Sequence, residues 1–269
     1  MMRRENPDLL SICKIPSLWA ILLYSTLLVS CGDNNTVSLA PPVPEINSPS
    51  GVWAGSFTST RNGAIRQVTG VVSEDYDTQL VAAAIAERHY SGIVSTDGDT
   101  LTGTLTTYLG REGPFLGFDG VQSIMLDGTI VERSTMSGDY TGNEDDGRFN
   151  LNYSNIYENG SSLDSTSGIW VYSEASAGGA LYTVTLDIDA NGTLFGTDTG
   201  GCVYGGQLAL IDDRFNSYQA NFNVSSCITK NGDYSGLAFL SSIGGGQINQ
   251  LVLGASKPNR AFAALLRKL

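Results

Sequence analysis

The stretch Asp187-Ile188-Asp189-Ala190-Asn191-Gly192-Thr193-Leu194-Phe195-Gly196-Thr197-Asp198 places oxygen donors at the spacing of a calcium-binding loop. Asp187, Asp189 and Asn191 fall at the first, third and fifth positions, Gly192 at the sixth and Asp198 at the twelfth. Thr193 adds the backbone carbonyl that such a loop uses at its seventh position. Two features oppose this reading. Aspartate at the last position is too short for the usual bidentate glutamate, and the flanks read as strands where a helix-loop-helix unit has helices. Asn191-Gly192 is also the strongest two-residue hairpin signal. On that second reading Asp187 and Asp189 share the solvated face of one strand, being two residues apart.

Other chemistry is sparse. The chain has one histidine, His89, in Glu87-Arg88-His89-Tyr90, where a surface or strand position is the ordinary expectation. A histidine-based zinc site or a Ser-His-Asp triad would have to use it alone. The nucleophile elbow G-x-S-x-G is missing, and no phosphate-binding or dinucleotide fingerprint follows a strand. Acidic residues are plentiful, which leaves a carboxylate pair for glycoside cleavage open.

The elements that must position these residues begin with an address. Arg3, Arg4 and Lys14 precede a 12-residue apolar run, Leu18 to Val29. A membrane-spanning helix needs about 20 apolar residues, whereas this length suits a secretory signal. The run ends in Leu28-Val29-Ser30-Cys31, which resembles the lipobox of bacterial lipoproteins. The resemblance implies a diacylglyceryl group on Cys31, cleavage before it, and stable anchoring by two or more acyl chains. Gly32 stands where Asp would retain such a protein at the inner membrane, so the resemblance implies the outer membrane, with Asp33 pulling the other way.

With Cys13 in the leader and Cys31 lipidated, Cys202 and Cys227 remain, in an oxidising compartment. One disulfide between them is expected, contributing roughly 3 kcal/mol by loop entropy; two buried thiols are the alternative. Matching the apolar faces of 202–211 and 217–226 pairs Tyr204, Leu208 and Leu210 with Val224, Ala220 and Tyr218. That register sets Cys202 opposite Ser226, and a bulge near Ser225-Ser226 is needed to bring Cys227 round.

Residues 31–49 read as a tether, with four of the eight prolines at 41, 42, 44 and 49. Extended at about 3.1 Å per residue, it reaches roughly 55 Å. The net charge of −12, with no Lys/Arg cluster, excludes nucleic acid as a natural partner. The 41% hydrophobic and 16% charged residues suit a folded chain.

Beyond residue 50 the period is two. TLTGTLTTYL (100–109), ALYTVTLDID (180–189) and SYQANFNV (217–224) alternate, separated by Asp-Gly and Asn-Gly turns. Ser50-Gly-Val-Trp53 returns as Ser167-Gly-Ile-Trp170, and Gly138-Asp-Tyr-Thr-Gly142 as Gly232-Asp-Tyr-Ser-Gly236. The expectation is an all-β fold of two diverged halves, 50–160 and 161–269. Each forms a small antiparallel up-and-down barrel, or both together form one larger barrel or sandwich. Thr, Ser, Asn and Asp on one strand face oppose a transmembrane barrel, which needs an apolar outer band. Trp53 and Trp170 are expected to plug their halves.

The second half, through Gly168-Ile-Trp170, Asp189-Ala-Asn-Gly192, Gly201-Cys-Val-Tyr-Gly205, Cys227, Gly232-Asp-Tyr-Ser-Gly-Leu-Ala238 and Leu251-Val-Leu-Gly254, resembles a group of Gram-negative outer-membrane lipoproteins. The two-barrel plan is also similar to transferrin-binding and factor H-binding lipoproteins. These resemblances imply an outer-membrane lipoprotein held by its lipid anchor. The leading expectation is a non-enzymatic binding or envelope module, with a protein or glycan partner and no cofactor unless calcium. The alternatives are a carboxylate-dependent enzyme acting on glycans or lipids, and a lipocalin-type carrier, which requires a hollow barrel.

Overall fold

A computed structural model describes residues 47–82, 88–175, 179, 181–243 and 247–269. The leader, Cys31 and the tether up to residue 46 lie outside the described residues.

The first eight strands are β1 (Gly51–Ser59), β2 (Ile65–Val72), β3 (Asp77–Ala82), β4 (Arg88–Asp97), β5 (Thr100–Glu112), β6 (Phe115–Val131), β7 (Thr135–Gly142) and β8 (Gly147–Ser154). Each pairs antiparallel with the next, and β8 returns to β1, closing a ring. A 3₁₀ turn (Asn155–Asn159) and a one-turn helix α1 (Leu163–Thr166) follow. The second ring holds β9 (Gly168–Ala175), β10 (Leu181–Ile188), β11 (Thr193–Asp198), β12 (Val203–Leu210), β13 (Tyr218–Ser225), β14 (Gly232–Ser241), β15 (Gln250–Lys257) and β16 (Arg260–Lys268). It closes through β16 on β9. The fold is all-β, as the period of two requires, and both rings are up-and-down barrels. Closure gives each strand a neighbour on both sides, which covers the edges apart from the part of β9 beyond Val171.

Alternation fills the interiors. Trp53, Phe57, Tyr90, Leu105, Tyr140 and Phe149 pack inside the first ring. Trp170, Tyr204, Tyr218, Phe222, Tyr234 and Phe262 pack inside the second. Outward positions such as Gln219, Asn221, Asn223 and Ser225 of β13 are polar. This polarity is the reverse of a transmembrane barrel, which is apolar outside.

The Trp echo is structural. Trp53 Nε1 donates to the Pro49 carbonyl (2.9 Å) and Trp170 Nε1 to the Thr166 carbonyl (2.6 Å), each four residues back at the opening of its ring. The Gly-Asp-Tyr echo is not equivalent. It falls on β7, the seventh strand of the first ring, and on β14, the sixth of the second. Loop insertions therefore do not explain its different offset. The tether is shorter than its composition suggests: Asn47 donates to Asp99 (2.5 Å) and Pro49 is buried, so 47–49 belong to the folded body.

A third cluster joins the barrels. Val52, Val71, Val81 and Tyr108 from the outside of the first ring meet Leu237, Phe239, Val252, Ala261 and Ala263 from the outside of the second. Strands β14–β16 are thus buried on both faces, and they read as continuous apolar runs for that reason. The β5–β6 hairpin crosses the seam. Its tip pairs with β16 (Phe115↔Phe262, Leu116↔Ala261), and Ala263 N donates to the Pro114 carbonyl (2.8 Å). β9 meets the same edge of β16 only at Trp170 and Val171. The hairpin tip therefore takes up the part of the β16 edge that β9 leaves.

Candidate functional site

The Asp187–Asp198 stretch is a hairpin. Asp187 sits on β10 opposite Phe195 of β11. Asp189 Oδ1 accepts from the backbone amides of Asn191 and Thr193 (both 2.8 Å), which holds its carboxyl below the usual range. Gly192 takes φ 81°, where a side chain would be strained. Asp198 lies at the far end of β11, five residues beyond Thr193, roughly 16 Å away at strand rise. The calcium expectation is corrected accordingly. Asp187, Asp189, Asn191, Thr193 and Asp198 do not converge, because strand rise separates donors that a helical-flanked loop would wrap round an ion.

Asp198 instead belongs to the disulfide end of the second barrel. It accepts from Tyr204 Oη (2.7 Å), Tyr182 Oη and Cys202 N (2.9 Å). Burial, and then donation to this carboxylate, push both tyrosines far above their ordinary pKa. Cys202 and Cys227 are joined in a disulfide with Cα atoms 5.0 Å apart. The register beside them is the one expected, Tyr204↔Val224, Leu208↔Ala220 and Leu210↔Tyr218. The turn that brings Cys227 round is a left-handed Ser226 (φ 63°) just past β13, rather than a bulge within the ladder. Peptide mapping without reductant is expected to recover Cys202 and Cys227 in one linked fragment; alkylation of both in the untreated protein would refute the bond.

The hairpin tip closes this end. Phe115 stands 5.3 Å from Phe262, 6.0 Å from Tyr234 and 6.3 Å from Tyr204 between ring centroids. Lys230, 6% exposed, bonds Glu112 (2.7 Å) and lies 5.1 Å over the Phe115 ring. Sequence reasoning missed this plug. The sequence reading had only the alternation over 100–109 in this region, and where the hairpin beyond it packs is a tertiary fact.

In the first barrel, Asp145 is 4% exposed and ties β1, β2 and β4 together. It accepts from Ser59 Oγ (2.6 Å) and pairs with Arg66 (3.0 Å) and Arg88 (2.9 Å). Burial opposes its charge, but the hydroxyl and the two guanidiniums outweigh burial and hold it below the usual carboxylate range. Asp127 and Asp139 face one another across β6 and β7. Both are exposed on the convex wall, with Arg148 3.5 Å from Asp139.

His89 departs from its expectation. It lies on strand β4 but is fully buried at the seam, and a Cβ on Gly254 of β15 would come within 2.8 Å of its ring. Its Nε2 meets Gln79 Oε1 (2.7 Å), Gln79 Nε2 donates to Ser91 Oγ (2.9 Å), and Ser91 Oγ in turn meets Ser256 Oγ (3.0 Å). Nδ1 has no partner among the described residues. Burial pushes the imidazole down to about 3.

The lipocalin-type carrier is set aside by these interiors: large aromatic side chains occupy the volume a ligand would need. The clustered ionisable groups at the barrel ends are spent on structural contacts. No protein-family model, curated protein or solved structure matches the chain.

Proposed function

We propose that this chain is a lipid-anchored envelope protein of the outer membrane that acts as a non-enzymatic binding module. The observation that carries the reading is the filling of both barrels, which leaves recognition to the outer walls. The anchor rests on Leu28-Val29-Ser30-Cys31 at the end of a leader-length apolar run. Two or more acyl chains hold a protein stably where its own acidic surface would be repelled by anionic lipid. The double barrel, fastened by its seam and hairpin, then serves as a rigid body on a short proline-rich stem.

The test is fractionation of the full chain expressed in a Gram-negative host. The native sequence is expected in the membrane pellet and the detergent phase, and Cys31→Ala in the soluble fraction. A Cys31→Ala protein that stays with the membrane defeats the anchor. Protease treatment of intact against permeabilised cells then assigns the exposed face.

A further inference from the structure

We propose that the outer wall of the second barrel, centred on Phe195 and Gly205, binds an uncharged pyranose glycan. The strand registers set one outward row across five strands: Asp187, Phe195, Gly205, Asn223 and Asp233. Phe195 is 60% exposed, on a sheet that cannot collapse to cover it. Beside it, a Cβ on Gly205 would meet no atom within 4 Å, so the wall is bare next to the ring. A shallow groove of about 530 Å³ runs over Gly205 and Gly206, next to Phe195 on the neighbouring strand, and is edged by Asn221, Asn223, Asp233 and Lys257.

The chemistry selects the ligand. An aromatic face is electron-rich and attracts the positively polarised C–H face of a pyranose. Sugar hydroxyls need paired donors and acceptors around that face. Asn223 Nδ2 donates to Asp233 Oδ1 (2.8 Å), which fixes both side chains and leaves the Asn223 carbonyl and the second Asp233 oxygen as acceptors. Asn221 carries an exposed amide in the neighbouring row. An extended peptide would need a free strand edge, and β10–β14 are paired on both sides. Asp187 and Asp233 at the two ends of the row outnumber the one cation of the groove, Lys257, which is held on the Asn231 carbonyl and over the Tyr234 ring, so an anionic chain gains no net attraction. A lipid surface would find only Phe195 and Ile169 standing out along this row, with Asp187 between them, too little to hold it.

This inference rests on the binding-module reading but not on the anchor. The full chain, purified in detergent, is titrated calorimetrically with chitohexaose, cellohexaose and maltoheptaose, and with polygalacturonate as the anionic counterpart. At least one neutral oligosaccharide is expected to bind with Kd below about 1 mM. Phe195→Ala is expected to weaken it about tenfold, a loss of the size of one aromatic contact. Gly205→Val, which fills the bare position, is expected to weaken it as much, while Ile93→Ala on the first barrel leaves it unchanged. Unaltered thermal unfolding of each variant shows that the fold is kept. Failure of all three sugars to bind, binding by Phe195→Ala equal to the native chain, or binding of polygalacturonate alone overturns the proposal. Recovery of the bound sugar intact supports the non-enzymatic reading; its cleavage keeps the site and removes that reading.

Discussion

Replacing Phe115 by alanine is expected to destabilise the protein by about 3–5 kcal/mol, the cost of emptying a fully buried aromatic site. The residue belongs by chain order to the first barrel and by packing to the second. Its ring closes an aromatic stack with Tyr204, Tyr234 and Phe262, and its backbone pairs with β16 where β9 diverges. The loss should therefore be felt by Trp170, in the second barrel, although the mutation lies in the first half. Denaturant unfolding followed by tryptophan fluorescence, in Trp53→Phe and Trp170→Phe backgrounds, reads this directly. Phe195→Ala, an exposed phenylalanine, is the control, expected within about 0.5 kcal/mol of the parent. A Phe115→Ala cost below about 1 kcal/mol would mean that the hairpin rests on the second barrel without plugging it.

Acid should act through His89. Its imidazole ionises at about 3 when folded and near 6.5 when the chain is unfolded. The unfolded state therefore binds the extra proton between these values, and stability falls as pH drops from about 6.5 towards 3. At pH 4 the loss is about 3 kcal/mol relative to neutral pH, from this group alone. Burial dominates, the Leu80 backbone offsets it only in part, and no group facing the ring brings a counter-charge. Gln79 and Ser91 are neutral, Tyr108 lies 6.0 Å away between ring centroids, and β15 presents Gly254 and Ser256. No carboxylate faces the ring among the described residues. Asp145, held below the usual carboxylate range like Asp146, Asp189 and Asp212, adds its own loss from about pH 5 downward, as the unfolded carboxyl takes a proton. His89→Gln keeps a donor towards Gln79 and removes the titration. Its unfolding free energy should fall much less than the parent's between pH 7 and 5, above the range where the carboxyls contribute, and a slope equal to the parent's would refute the role of this histidine.

The elements differ in how much of them the sequence shows. The β12–β13 register is readable because alternation allows one pairing that keeps Tyr204, Leu208 and Leu210 on the same face as Val224, Ala220 and Tyr218. The mismatch of Cys227 with that face is readable too, and it marks Ser226 as the place where the backbone must depart from a strand. The two tryptophans announce equivalent openings because each needs a carbonyl for its indole N–H, four residues back. The oxygen-rich 187–198 stretch misleads, since position along the chain says nothing of distance until the backbone period is known. At strand rise the same twelve residues span a hairpin, and Asp198 serves the disulfide end.

By itself the sequence determined the all-β class, because that follows from local alternation and turn residues; it left two rings against one larger barrel or sandwich, and a Cys202–Cys227 disulfide against two thiols, for the structure to decide. The tertiary structure alone decided that β14–β16 are covered on both faces, that the β5–β6 hairpin plugs the neighbouring barrel and that His89 is buried without a counter-charge. Those depend on which outer walls meet, and burial between walls is a property of two surfaces rather than of either strand's own pattern. The same holds for the wall left open around Phe195 and Gly205, which is exposed because the seam formed on the other side of the barrel.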